Sequence, residues 1–359
     1  MGSRPRPMRD VFFEGLFRRA KQDRDILLLS NDQGAPALDP FRRELPRQFI
    51  NMAIAEQNMI SVAAGLAHSG KNVFVYGIAP FVTSRCFEQI KIDLCVMALP
   101  VTIIGVGAGY SYAPDGPTHH ATEDLSIMRS LSGMQIYSPC DWRMLDRLVD
   151  VALRCRGPLY LRLDREAIQL DTPLQEDRNL SGCTVLRQGR DVCLLATGIL
   201  VPRALEVAGL LASRGIDAGV VDVYQLKPLA WELCLELARY PRVATLDEHS
   251  VSGGLGTAIA EILADLTLPL LLRRFAPDDG ELYVHAPRAQ LHWEIGLDAP
   301  ALTDRVATWC KGQDKTLLEQ IREDLARRDA RRQAEEAALV RGSDPALLPP
   351  DLEPLGLSC

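Results

Sequence analysis

A carboxylate stands inside an apolar stretch at Ile54-Ala55-Glu56-Gln57-Asn58-Met59. Ala53, Ile54, Ala55, Met59 and Ile60 surround it, so the helix that carries Glu56 is expected to be buried. A carboxylate near a helix N-terminus can simply offset the helix dipole. Among apolar neighbours it also fits a group that waits for a ligand, because an unpaired buried carboxylate is costly. A second segment, Ala113-Pro114-Asp115-Gly116-Pro117-Thr118-His119-His120, follows the glycine-rich run 105–109. It lies beyond a predicted strand end, where open parallel sheets place ligands. Its two histidines read either as capping and solvated groups or as proton carriers. No third ligand has recognisable spacing, so no metal site is expected in this chain. A third segment, Asp247-Glu248-His249-Ser250-Val251-Ser252-Gly253-Gly254-Leu255-Gly256, either cradles a phosphate at a helix N-terminus or makes a tight turn. It is not the GxGxxG of dinucleotide sites.

The elements that must position these groups alternate. Residues 8–165 read as a helix at 11–20, a strand at 26–29, a helix at 51–68, a strand at 73–76, a helix at 81–97, a strand at 101–106, a helix at 141–154 and a strand at 159–163. Short apolar strands between helices imply a parallel sheet covered on both faces. Residues 166–182 are polar and aperiodic and read as a linker. Residues 183–312 resume the alternation, with strands at 192–196, 218–223 and 243–246 and helices at 202–214 and 257–266. The fold class is therefore α/β, with two parallel-sheet domains. Residues 315–341 are rich in Ala, Arg, Glu and Leu and predict a helix, and 343–359 carry prolines and predict none.

Composition narrows the function classes. The 359 residues include 40 basic and 47 acidic side chains, a net charge of −7 that disfavours nucleic acid as the main partner. The longest apolar run, 94–109, contains Pro100 and glycines and is too short for a membrane span. Nine cysteines without CxxC spacing read as reduced thiols, which suits a cytoplasmic protein without a disulfide framework.

IAEQNM, DGPTH, the ATG at 196–198, VDVYQLKPL at 221–229 and EHSVSGGLG at 248–256, in this order, resemble the transketolase family. The likeness is strongest to the C-terminal chain of its split bacterial forms, and it covers about residues 8–312. The ATG and GGLG elements are shared with 1-deoxyxylulose-5-phosphate synthases and with 2-oxoacid dehydrogenase beta chains. The resemblance implies a thiamine diphosphate pyrimidine-binding domain at 8–165 and a transketolase C-terminal domain at 183–312. It implies that Glu56 hydrogen-bonds a ring nitrogen of the cofactor's aminopyrimidine, and that His119 lies near the amino group and the reacting carbonyl. Ile78 and Phe81 fall where the cofactor ring is held. Asp115 is implied to contact a donor hydroxyl, with Arg165, Arg9 and His120 among the substrate-binding groups.

The sequence also departs from the family pattern. Gly107 stands where a histidine is usual, Pro36 where a phosphate-binding serine is usual, Ile78 where an aromatic ring stacks, and His120 where glutamine is usual. These departures predict a donor unlike the ordinary sugar phosphates. The family's GDG segment and asparagine pair, which hold the diphosphate through magnesium, are missing. The resemblance therefore implies a partner chain that supplies Mg2+ binding, in an α2β2 assembly, with residues 183–312 serving assembly alone. Two other readings stand beside this one: the beta chain of a 2-oxoacid dehydrogenase, and a subunit that keeps the fold without chemistry.

Overall fold

The computed structural model describes residues 5–170, 180–278 and 280–312. The tail expected at 315–359 and most of the expected linker lie outside the described residues. Within them the expected α/β architecture is present as two sheets.

The first sheet is built from β1 (Ile26–Ser30), β2 (Phe49–Asn51), β3 (Asn72–Ile78), β4 (Val101–Val106), β5 (Gln135–Tyr137) and β6 (Leu159–Leu163), all parallel. Their order is β5-β6-β4-β3-β1-β2. Successive residues of these strands feed opposite faces, as a pleated strand requires. Val73 and Val75 join one apolar cluster while Phe74 and Tyr76 join the other. That explains why the strands read as unbroken apolar runs.

The second sheet holds β7 (Cys183–Arg187), β8 (Val192–Ala196), β9 (Ala218–Val223), β11 (Arg242–Leu246) and β12 (Leu271–Phe275), in the order β12-β11-β8-β9-β7 with β7 antiparallel. The strand between β9 and β11 in sequence, β10 (Gln225–Lys227), leaves its own domain. It pairs antiparallel with β5 and completes a seven-stranded first sheet. One apolar cluster also crosses the boundary, joining Leu29, Val75 and Ile103 to Leu195, Val221 and Leu226. Each such side chain contributes on the order of 1.5–3 kcal/mol when fully buried, so the two domains share a core.

Two expected helices differ. The helix expected from residue 51 starts at Glu56, because Asn51 ends β2 and Ala53 adopts φ 54°. The helix expected over 81–97 is broken. Ala79–Val82 is a single helical turn begun by Pro80, Ser84–Cys86 is a 3₁₀ turn, and Ile90–Val96 is a π-helical stretch. The main helices are α1 (Met8–Ala20), α2 (Glu56–His68), α3 (Asp124–Ser130), α4 (Leu145–Arg154), α5 (Leu200–Ala212), α6 (Leu255–Leu266), α7 (Arg288–Glu294) and α8 (Ala299–Cys310). Among the described residues no helix is long and apolar enough to cross a membrane.

Candidate functional site

Because β1, β3, β4 and β6 are parallel, their C-terminal ends share one edge of the sheet. Asn31, Phe81, the 107–120 loop and Arg165 all follow directly from those ends.

Glu56 is the first residue of α2 and is 3% exposed. The chain reaches it through two tight turns. The Asn51 side chain accepts from the amides of Asp32 (3.1 Å) and Ala53 (3.0 Å), and both of those residues have left-handed φ, 65° and 54°. Each such conformation costs on the order of 1 kcal/mol or more and is typical of functional corners. Asn31 donates to one carboxylate oxygen of Glu56 (2.9 Å), and the Arg85 guanidinium pairs with the other at 2.9 Å. Burial pushes the Glu56 carboxyl up, but the bonds from Asn31, its own amide and Arg85 outweigh that and hold it below its usual range. The side-chain oxygen of Asn31 is buried beside it without a partner.

Arg85 also lies over the Phe81 ring, 4.4 Å from its centroid. Phe81 meets the His119 ring edge-on at 5.2 Å, His119 lies 6.0 Å from Tyr112, and Arg165 stacks over Tyr112 at 5.1 Å. Glu56, Arg85, Phe81, His119, Tyr112 and Arg165 therefore form one continuous wall. Burial raises the Tyr112 phenol pKa, while the charges of Arg165 and Arg9 pull it partway back. Arg9, at the start of α1, bonds Asp10 at 2.9 Å and also engages Tyr76.

The structure thus brings together four of the expected residues, Glu56, Phe81, His119 and Arg165, with Arg9 close enough for its charge to act on Tyr112. Asp115 ends the 3₁₀ turn Ala113–Asp115 and is exposed. His119 is half-buried, with its ring Nδ1 2.9 Å from the Thr118 hydroxyl. His120 points the other way. It is 2% exposed, packs edge-on against Tyr110 at 5.0 Å and has a buried Nδ1 without a partner. Burial lowers its pKa, so it is held neutral. Ile78 is buried at the end of β3.

Gly107 explains one departure. It has φ 105°, and a Cβ there would lie 2.4 Å from the Tyr112 ring. Tyr112 fills the space that any side chain at 107 would need. Asn31, Arg85 and Tyr112 were not singled out from sequence. Arg85 four residues beyond Phe81 was the available signal, since that spacing returns to one face of a helical turn. Among the described residues no group of three or more His, Cys, Asp or Glu is placed to hold a metal ion.

Comparison with known proteins adds to this geometry. Residues 5–170 match the family model of the transketolase pyrimidine binding domain, and residues 182–302 match that of the transketolase C-terminal domain. The chain is 36% identical over 294 residues to one of the subunits of an apulose-4-phosphate transketolase from Phocaeicola vulgatus, covering 81% of this chain and 93% of the relative. It is 37% identical over 275 residues to the 6-deoxy-6-sulfo-D-fructose transketolase subunit SqwH of a Clostridium species, covering 76% of this chain and 85% of the relative. A solved split-gene transketolase, an inactive beta4 tetramer, superposes with a TM-score of 0.74 at 34% identity, over 84% of this chain and 97% of that one.

Proposed function

We propose that this chain, which belongs to the transketolase family, is the pyrimidine-binding subunit of a split, thiamine diphosphate-dependent transketolase. The reaction proposed is transfer of a two-carbon ketol unit from a ketose donor to an aldehyde acceptor. The observation that carries this reading is Glu56: an ionised carboxylate, 3% exposed, at a strained corner, whose counter-charge Arg85 lies over the Phe81 ring, which in turn meets His119. The similarity to subunits of split transketolases favours this reaction over that of a 2-oxoacid dehydrogenase.

The residues fit the pyrimidine half of the cofactor. Glu56 offers an acceptor to a ring N–H, the orphaned Asn31 oxygen offers another, and Phe81 offers a ring face. The carbon–carbon bond chemistry belongs to the bound cofactor. Glu56 holds a proton at the ring nitrogen and so sets which cofactor nitrogen acts as base. His119 stands where it can donate to the oxygen on which charge develops and later return a proton. Asp115 orients donor hydroxyls from the exposed side. Arg165 and Arg9, with Tyr112 between their charges, hold an anionic end of the substrate.

Tyr112 in the space over Gly107, together with Pro36, supports a donor other than the ordinary pentose and hexose phosphates. Two relatives named for apulose 4-phosphate and 6-deoxy-6-sulfo-D-fructose accord with that. The diphosphate and Mg2+ are held by a partner subunit in an α2β2 assembly, in the cytoplasm. The likeness over nearly the whole length of subunits of split transketolases supports the partner, and so does the inactive tetramer of the split-gene relative. The free cysteines of the described residues accord with a reducing compartment.

The test is reconstitution with a chain that carries a GDG segment, followed by assay of ketol transfer from a panel of phosphorylated, sulfonated and uncharged ketoses. Transfer that needs both chains is the expected result. Carbon dioxide release from pyruvate instead would overturn the reaction, and efficient use of xylulose 5-phosphate would overturn the donor assignment.

A further inference from the structure

The loop that carries Asp115 and His119 belongs to the first domain, yet the second domain holds it. The amide of Tyr110 donates to a carboxylate oxygen of Glu248 at 3.3 Å. Gly109 has φ 55°, and a Cβ there would lie 2.1 Å from that same carboxylate, so the loop backbone rests directly on Glu248. Arg288, at the start of α7, bonds both Glu248 oxygens, one at 2.7 Å, and donates to the carbonyl of Ala108 at 3.3 Å. The same guanidinium reaches Asp164 at 2.7 Å. Asp164 accepts from the Ser111 hydroxyl (2.9 Å), and that hydroxyl accepts from the amide of Arg165 (2.9 Å). His292, one turn along α7, bonds the same Glu248 oxygen that the Arg288 Nε meets.

Further contacts extend the grip. The His285 ring pairs with the Pro114 carbonyl at 3.0 Å and packs over Gly116. Ala286 and Leu291 close a small apolar cluster with Tyr110 and Ala113. Beyond the loop, the Ser250 amide donates to the Thr122 carbonyl (2.9 Å) and His249 accepts from the Ser126 amide (3.1 Å).

We infer that Glu248 and Arg288 of the second domain are positioning residues, which fix the 107–119 loop that carries Asp115 and brings His119 against Phe81 at the Glu56 corner. Every bond from the pair to the loop backbone falls on Ala108 or Tyr110, upstream of Asp115, and none falls on α2. The pair therefore governs the donor side of the site and leaves the cofactor side alone. A buried charge pair suits this work, because its bonds are directional and a displaced loop would strand two charges away from water. The inference rests on the ketol-transfer reading for its effect on turnover, but not for its effect on the loop.

Hydrogen exchange of the full-length chain, read residue by residue, tests it in Glu248→Gln, Arg288→Lys and His285→Ala. In the first two, the amides of residues 108–119 are expected to exchange about tenfold faster or more, with Tyr110 foremost, while α2 and β4 stay protected. His285 is exposed, so His285→Ala should fold normally and loosen residues 114–116 by about twofold to fivefold. In the reconstituted complex, Glu248→Gln should lower donor kcat/KM by roughly 10–100-fold, and cofactor affinity measured by titration should change less than about twofold. Unchanged loop exchange in all three variants overturns the inference, as does an equal rise in the loop and α2. A complex without ketol transfer but with a selectively loosened loop would sink the functional reading and leave this one standing.

Discussion

Glu56 and Glu248 are buried to the same 3%, and both are held ionised below the usual carboxylate range. Their partners differ. Glu248 is sealed by Arg288 and His292, which are themselves buried, and by the Tyr110 amide. Glu56 is paired with Arg85, whose side chain is 42% exposed, and with an asparagine whose own oxygen is orphaned. Glu248, which we infer holds the loop, has partners that are themselves buried. Glu56, which we propose receives the cofactor, has a counter-charge that water can replace. Burial alone does not separate the two roles; the exposure of the counter-charge does.

The comparison can be broken most sharply by removing each carboxylate. Glu56→Gln in the reconstituted enzyme should cost about 10²–10⁴ in turnover, as loss of a proton-placing group does. Its urea midpoint should change by less than the equivalent of ~1 kcal/mol, since an exposed arginine is easily rehydrated. Turnover near that of the unsubstituted enzyme would remove Glu56 from the mechanism. Glu248→Ala should do the reverse. Removing one of the two carboxylates that Arg288 bonds, and leaving His292 without its partner, should destabilise the chain by about 3 kcal/mol in urea denaturation, and a loss below ~1 kcal/mol would show the pair to be solvated.

Acid sharpens the same contrast. Glu248 has a folded pKa far below its ordinary 4.5, with burial opposing and Arg288 and His292 dominating. Its stabilisation is therefore complete above pH 4.5 and drains away as pH falls below that value. Stability followed from about pH 7 to about pH 3 should drop steeply below 4.5 in the natural chain and less steeply in Glu248→Gln. Parallel profiles would assign the acid loss elsewhere. The smallest effect belongs to Arg85→Ala. Stability should move by ~0.5 kcal/mol or less, while titration of the cofactor should show a change of a few fold at the freed Phe81 face. A large stability loss would mean that Arg85 is as fixed as Arg288.

Four strands of the first sheet, Ile26–Ser30, Asn72–Ile78, Val101–Val106 and Leu159–Leu163, were legible because both faces are buried, which writes continuous apolar runs such as ILLL and VTIIGV into the chain. Of the residues lining the candidate site, Glu56 and His119 were picked out through IAEQNM and DGPTH, and Phe81 and Arg165 only through the family resemblance. The strands Phe49–Asn51, Gln135–Tyr137, Cys183–Arg187, Gln225–Lys227 and Leu271–Phe275 were not legible, being too short or too polar to show a period. The helix expected over 81–97 was misread because a π-helical stretch and a single helical turn keep nearly the same apolar spacing as a continuous helix. The second domain's role at the site was hidden for another reason. Glu248 and Arg288 are 40 residues apart and meet only through the packing of α7. Arg288 and His292 at i and i+4, with an Asp-Glu-His run ending a buried strand, were the faint sign available. The expectation that residues 183–312 serve assembly alone does not describe Glu248, Arg288 and His285, which touch the loop.

Strand β10 bears on how the chain is made. The first sheet cannot close its β5 edge until Lys227 has been synthesised, long after Leu163 completes β6. At ~5–20 residues per second that is several seconds on the ribosome, during which a nascent domain carries an open strand edge. Crowded translation, heat or a pause in the second half of the message would lengthen that exposure. The yield of this subunit in a cell should depend on how soon its second domain emerges.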